Sequence, residues 1–87
     1  MITTHISRSP DETARLGTEV FEGKVQPRLR PEDHGKFVAV DIPTGEYEVD
    51  EDDYSAVKRL RRRMPNADIW LARVGYPAAY RIGRGIQ

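Results

Sequence analysis

GKFVAVDIPTGEYEVDEDD, residues 35–53, reads as a β-hairpin running straight into a helix. Residues 36–42 are rich in β-branched and aromatic side chains, which suit a pleated, buried surface. Pro43 presets φ for the first central position of a type I turn, and Gly45 supplies the left-handed position of a three-residue hairpin loop. That loop predicts Ile42 opposite Glu46, then Asp41 with Tyr47, Val40 with Glu48, Ala39 with Val49 and Val38 with Asp50. One face would carry Phe37, Ala39, Asp41, Tyr47 and Val49. The other would carry Val38, Val40 and Ile42, flanked by Glu46, Glu48 and Asp50. A slip of one residue exchanges these faces, so the length of the loop governs the whole sheet.

The first strand is apolar on both faces, and a strand that does not alternate needs cover on both sides. The second is acidic along one face, which suits a sheet edge protected by charge. Downstream, Asp50, Glu51, Asp52 and Asp53 stand where a helix N-terminus is positive, with Asp50 placed to cap the amides of Asp52 and Asp53. The helix runs to about Met64. Tyr54, Val57, Leu60 or Arg61, and Met64 recur at helical spacing with Ala56 alongside, and Lys58, Arg59, Arg61, Arg62 and Arg63 form the other side. Pro65 and Asn66 end it.

Residues 68–76, DIWLARVGY, form a third strand. Ile69, Leu71 and Arg73 point one way, and Trp70, Ala72, Val74 and Tyr76 the other. A crossover lays this strand beside the first, antiparallel to it, in the order 2-1-3. The tail carries Pro77, Gly83 and Gly85 and is expected as an extended arm rather than a fourth strand.

Upstream, Ser9-Pro10-Asp11-Glu12 is a helix start, with Ser9 as N-cap, Pro10 at the first helical position and Glu12 completing a capping box. This helix runs to about Val25, with Leu16, Val20 and Phe21 on one face. Gly17 and Gly23 each weaken it by roughly 1 kcal/mol relative to alanine. Residues 27–35, PRLRPEDHG, are a linker punctuated by two prolines. The expected organisation is a helical arm over residues 1–30, its first nine residues polar and frayed, and a ββαβ unit over residues 31–87. The fold class is α+β, a three-stranded sheet with one helix packed on it. That helix covers one face; the other calls for the first helix, the tail or another chain.

The 87 residues suffice for one small domain. Hydrophobic residues are 38% and charged residues 32%, so the core is modest. Lys plus Arg equals Asp plus Glu at 14 each, which argues against a chain that grips nucleic acid by charge alone. The absence of cysteine removes disulfides, thiolate zinc sites and thiol nucleophiles, and fits a reducing compartment. With no apolar signal core and no run of membrane length, a cytoplasmic protein without membrane association is expected.

PEDHGKFVAVDIPTGEYEVDEDD (residues 31–53) together with DIWLARVGYPAAYRIG (residues 68–83) resembles a family of short bacterial proteins. They share a glycine-aromatic-valine-alanine strand, a Thr-Gly turn, an acidic helix start and a closing arginine-valine-glycine strand. The layout is also similar to the ββαβ sheet of HicB-type antitoxins. The resemblance implies a small partner in a toxin–antitoxin-like or protease-associated gene pair. It carries over no catalytic residue. The separate ribbon-helix-helix or helix-turn-helix segment of DNA-binding antitoxins is missing from this chain.

Other chemistries find less support. The acid run could attract a divalent cation, but it lacks the alternating spacing, central glycine and distal Glu of a calcium loop, and helix capping accounts for it. His34 follows Glu32 and Asp33, yet no nucleophile accompanies it, and His5 lies in the polar start. Arg73, Arg81 and Arg84 add to the basic run, and GRG at residues 83–85 is a weak RNA signal. The expectation is therefore a non-catalytic protein-binding module, antitoxin-like and without cofactor or metal, that complexes a partner such as a neighbouring gene's product and self-associates. Its contacts are expected at Phe37, Arg59, Arg62, Arg63, Trp70, Tyr76, Tyr80 and Arg81, because aromatics and arginine carry disproportionate interface energy. The alternative is a small nucleic-acid-binding regulator using the basic helix and the Arg/Gly tail.

Overall fold

The computed structural model describes residues 9–84. The readings of His5 and Gly85, and of the Arg84 side chain, lie outside what is described. Helix α1 (Pro10–Val20) is followed by a π-helical turn (Phe21–Val25) and two short 3-10 turns (Gln26–Arg28, Pro31–Asp33). Strands β1 (Phe37–Asp41) and β2 (Tyr47–Asp50), helix α2 (Asp53–Arg63), β3 (Asp68–Arg73) and β4 (Tyr76–Arg84) complete the chain. All neighbouring strands run antiparallel, in the order β2-β1-β3-β4. The α+β class and the 2-1-3 arrangement are as the sequence predicts.

The tail is a correction. It folds back as a fourth strand of nine residues instead of leaving the sheet as an arm. Val74 and Gly75 make a two-residue turn, with Arg73 opposite Tyr76. Gly75 supplies the positive φ of 86° that such a turn requires.

The hairpin register is a second correction. Val40 lies opposite Tyr47, Ala39 opposite Glu48, Val38 opposite Val49 and Phe37 opposite Asp50. The loop is one residue longer than a type I turn with a bulge. Asp41 N–H donates to the Glu46 carbonyl at 2.8 Å, while the Asp41 carbonyl accepts from Gly45 N–H at 2.8 Å. Ile42 thus enters the loop, and every side chain of β2 changes face.

The outcome is chemically sounder than the predicted register. Tyr47 and Val49 join Val38, Val40, Trp70 and Ala72 under α1, where Leu16, Val20, Phe21 and Val25 close the layer. On the opposite face Ala39, Ile69 and Leu71 pack against Ala56 and Leu60 of α2. Both faces of the central strands are therefore covered by the chain's own helices. Each fully buried Val, Leu or Ile side chain contributes about 1.5–3 kcal/mol of transfer free energy.

Local signals hold the elements in place. Ser9 Oγ accepts from Glu12 N–H at 3.1 Å, and Asp52, rather than Asp50, caps α2 by accepting from Ser55 N–H at 2.9 Å. Asp50 accepts from Asp52 N–H at 2.9 Å one turn earlier. That amide, with the Arg59 guanidinium, holds the Asp50 carboxyl below its usual range. Asp33 is held low in the same way, by Arg30 N–H at 2.9 Å and then by Lys36. A carboxylate whose folded pKa is depressed stabilises the fold above its unfolded value, and the gain is lost as pH falls through the folded one. Stability is expected to fall below about pH 4, and Asp33→Asn with Asp50→Asn to flatten that limb in a pH series of thermal midpoints. A limb of unchanged steepness would place the acid sensitivity on other carboxylates.

Candidate partner-binding surface

Eight residues were expected at a contact, and the structure gives them different work. The basic side of α2 is the clearest case. Arg59 pairs with Glu48 at 2.9 Å and with Asp50 at 3.0 Å. Arg63 pairs with Glu48 at 2.7 Å and Glu46 at 2.9 Å, and donates to the Tyr47 carbonyl at 2.9 Å. The hydrogen bonds that the Arg63 guanidinium donates to the Glu46 and Glu48 carboxylates push it further toward its protonated form. These pairs exist because the longer loop turns Glu48 and Asp50 toward α2. They strap the helix to the edge strand.

The strap is partly solvated, with the Arg63 side chain 43% exposed and that of Glu48 18%. Exposed ion pairs stabilise little. A double-mutant cycle between Arg63→Ala and Glu48→Ala is expected to give a coupling below about 1 kcal/mol in equilibrium unfolding. A coupling several times larger would show that the strap, and not the apolar layer beneath it, seats α2.

Arg61 donates to the Gly83 carbonyl at 2.7 Å and ties α2 to the far end of β4, while its buried Nε meets no acceptor among the described residues. Lys58 lies 5.6 Å from the centre of the Tyr54 ring. Arg62 points into water. Tyr54, expected on the apolar side of the helix, is instead 68% exposed.

Trp70 is only 6% exposed and belongs to the core beneath α1. Phe37 is half-buried, with the Arg73 guanidinium 5.0 Å from its ring centre. Arg81 donates to the buried carboxylate of Asp68 at 3.0 Å. Arg59, Arg63 and Arg81 are exposed too but are held by acids of the chain, which leaves Tyr76, Tyr80 and Arg62 as the expected contact residues that are exposed without an ion pair among the described residues.

The two tyrosines share one side of β4. Tyr80 stands opposite Leu71 and Tyr76 opposite Arg73, on the face that α2 covers further across. α2 lies over β1 and β2 and reaches only the near side of β3. Tyr76 is 48% exposed and Tyr80 55%, and Ile82 beside them is 38% exposed. Arg73 stacks 4.3 Å from the centre of the Tyr76 ring and donates from Nε to the Gly35 carbonyl at 2.9 Å, so that end of the patch is stiff. His34 sits 5.8 Å from Tyr76, ring to ring. Ile82 is the residue that sequence reasoning passed over. The signal was present in a two-residue Val74-Gly75 turn followed by a second β-prone run.

The acid run is occupied locally. Asp50, Asp52 and Asp53 accept from the amides of Asp52, Ser55 and Tyr54. Among the described residues no three His, Cys, Asp or Glu side chains converge as a metal ion would need. No described helix is long and apolar enough to cross a membrane. No family model, curated protein or solved structure matches the chain.

Proposed function

We propose that this protein acts by binding another protein, without catalysis of its own, in the manner of a small antitoxin-like partner. The observation that carries this reading is the margin of β4, where Tyr76, Tyr80 and Ile82 stand in water on a sheet edge while the rest of the apolar sheet is covered. Exposed tyrosines on a strand that has no second neighbour among the described residues supply side-chain anchors and main-chain hydrogen bonds for a partner. With both central faces covered from within, self-association would use this same margin. Nucleic-acid binding is served less well, because Arg59, Arg61 and Arg63 are committed inside the chain and only Lys58 and Arg62 remain on α2.

The test is light scattering of the protein alone and co-expressed with the product of the adjacent gene. A complex is expected, and Tyr76→Ala with Tyr80→Ala should weaken it about tenfold or more. The thermal midpoint should move little, since both rings are half in water. A complex indifferent to both tyrosines would move the contact elsewhere. Absence of a complex, with retention on DNA or RNA that weakens steeply with salt, would favour the regulator.

A further inference from the structure

We propose that the strip of sheet between α2 and the margin of β4 receives an acidic segment of the partner protein, with carboxylates beside Lys58, Arg61 and Arg73 and apolar side chains against Tyr76, Tyr80 and Ile82. Resting on the binding function proposed above, this adds the chemistry of the partner's contact. α2 leans toward β2, which Arg59 and Arg63 grip. At about 100° per residue, Tyr54, Lys58 and Arg61 fall on the opposite side of the helix, toward β4. Arg61 fixes that direction, since it reaches the Gly83 carbonyl at 2.7 Å. Short of that contact Tyr76, Tyr80 and Ile82 stand exposed along β4.

The charge of this strip is set by how the sequence distributes its acids. Asp68 is the single Asp or Glu after Asp53, whereas more than half of the 14 Lys and Arg residues follow it. Asp68 is buried and holds Arg81 at 3.0 Å. Arg59 and Arg63 are neutralised by acids of β2. Lys58, Arg61 and Arg73 meet no carboxylate among the described residues: Arg61 and Arg73 donate to carbonyls, and Lys58 lies over the Tyr54 ring. Asp50, Asp52 and Asp53 stand at the Tyr76 end of the sheet, where they accept from amides of the helix start. A chain with no net charge thus carries a cationic face, and the complement of that face is negative.

Aromatic rings beside cations also suit a single strand of nucleic acid, which stacks its bases on open ring faces. Here ring faces are in use within the chain. Lys58 lies 5.6 Å from the centre of the Tyr54 ring, Arg73 lies 4.3 Å from that of Tyr76, and His34 packs beside Tyr76 at 5.8 Å. So few free cations hold a phosphate chain weakly, and an exposed Ile82 gives it nothing to bind. An acidic segment with aliphatic or aromatic side chains uses the cations and the apolar surface together.

Fluorescence anisotropy with labelled probes on the full chain tests the proposal. The first probe is a blocked peptide of about twelve residues alternating Glu with Leu and Phe, long enough to run the length of β4. The others are the same peptide with Gln in place of Glu, and an oligothymidylate of equal charge. The Glu peptide should bind about tenfold or more tighter than the Gln peptide, and lose affinity several-fold as salt rises from about 50 to about 300 mM. Lys58→Glu and Tyr80→Ala should each weaken it about fivefold or more, while Arg15→Glu on α1 leaves it unchanged. Lys58 and Arg15 are both exposed, so both charge reversals keep the fold. No binding of the Glu peptide at low salt would overturn the proposal. So would equal affinity for the Gln peptide, equal losses in Lys58→Glu and Arg15→Glu, or tighter binding of the oligothymidylate, which would give the strip to nucleic acid. A complex with the adjacent gene's product that needs Tyr76 and Tyr80, while the Glu peptide fails to bind, would end this proposal and leave the binding function standing.

Discussion

Gly17→Ala is expected to destabilise the protein, although alanine is the better helix former. A Cβ at residue 17 would lie 2.3 Å from Cδ2 of Trp70 and 2.7 Å from Cε2 and Cε3. These are atoms of a rigid ring plane, and the ring belongs to one packed core with Val38, Val40 and Ala72. Either the indole moves into that layer or α1 lifts from the sheet. Overpacking of this kind costs about 1–3 kcal/mol, against a helix-propensity gain of about 1 kcal/mol at most. Packing wins, for a net loss of about 1–2 kcal/mol and roughly 5–15 °C in thermal midpoint for a domain of this size. Trp70 is the only tryptophan, so its emission reports directly on the displacement and should shift to the red. Gly23→Ala makes the opposite case. Nothing lies within 4 Å of its Cβ position, and the substitution should stabilise by up to about 1 kcal/mol. An unchanged midpoint and emission in Gly17→Ala would mean that α1 is not seated on Trp70 in solution.

The two glycines also show where sequence reading stops. Helix propensity treats them alike, and only the close approach of an indole from the far end of the chain separates them. Signals that act within a few residues were legible. Ser9 with Glu12 fixed the start of α1, and the acids before Tyr54 fixed the start of α2, although the cap proved to be Asp52. The alternation of Ile69 and Leu71 against Trp70 and Ala72 was also legible, and it sorts β3 between the two cores. The register of β1 with β2 was not, because Pro43-Thr44-Gly45 suits a three-residue loop as well as a four-residue one. The choice is made by Asp41 and by what the faces of β2 must meet. From that single residue of loop length follow the positions of Glu48 and Asp50, and so the engagement of Arg59 and Arg63. The contact residues were misjudged for the same reason. Charge and aromaticity mark a side chain as able to bind, but whether it is free depends on register. β4 was missed because Pro77 and two glycines read as breakers, whereas Pro77 sits near the start of the last strand of the described sheet, where its missing N–H is tolerated.

Asp41→Ala is expected to cost about 2–4 kcal/mol, more than any exposed ion pair in the molecule. Asp41 is 3% exposed and its carboxylate is shared between two elements. Oδ2 accepts from the Thr44 hydroxyl at 2.7 Å inside the loop, and Oδ1 accepts from Asp68 N–H at 2.8 Å at the start of β3. The Thr44 hydroxyl in turn accepts from Glu46 N–H at 3.1 Å, which closes the four-residue loop. Alanine would leave the Asp68 amide without its acceptor in a buried setting, and a stranded donor costs about 1–3 kcal/mol beyond the lost charged hydrogen bond. Asn keeps an acceptor for that amide and offers an N–H to the Thr44 oxygen, so Asp41→Asn should cost only about 1 kcal/mol. The hairpin is not expected to relax into the three-residue loop when Asp41 is lost. That register would carry Glu48 and Asp50 into the apolar layer under α1, where an unpaired carboxylate costs several kcal/mol, and would remove the acids that Arg59 and Arg63 hold. Equilibrium unfolding of the two variants, with cross-strand contacts of Val38 to Val49 followed by NMR, separates the possibilities. An equal loss for Asn and Ala would show that the negative charge matters rather than the acceptor. A small loss for Ala with the register intact would mean that Gly45, at φ 82°, and the two apolar faces suffice to choose the loop.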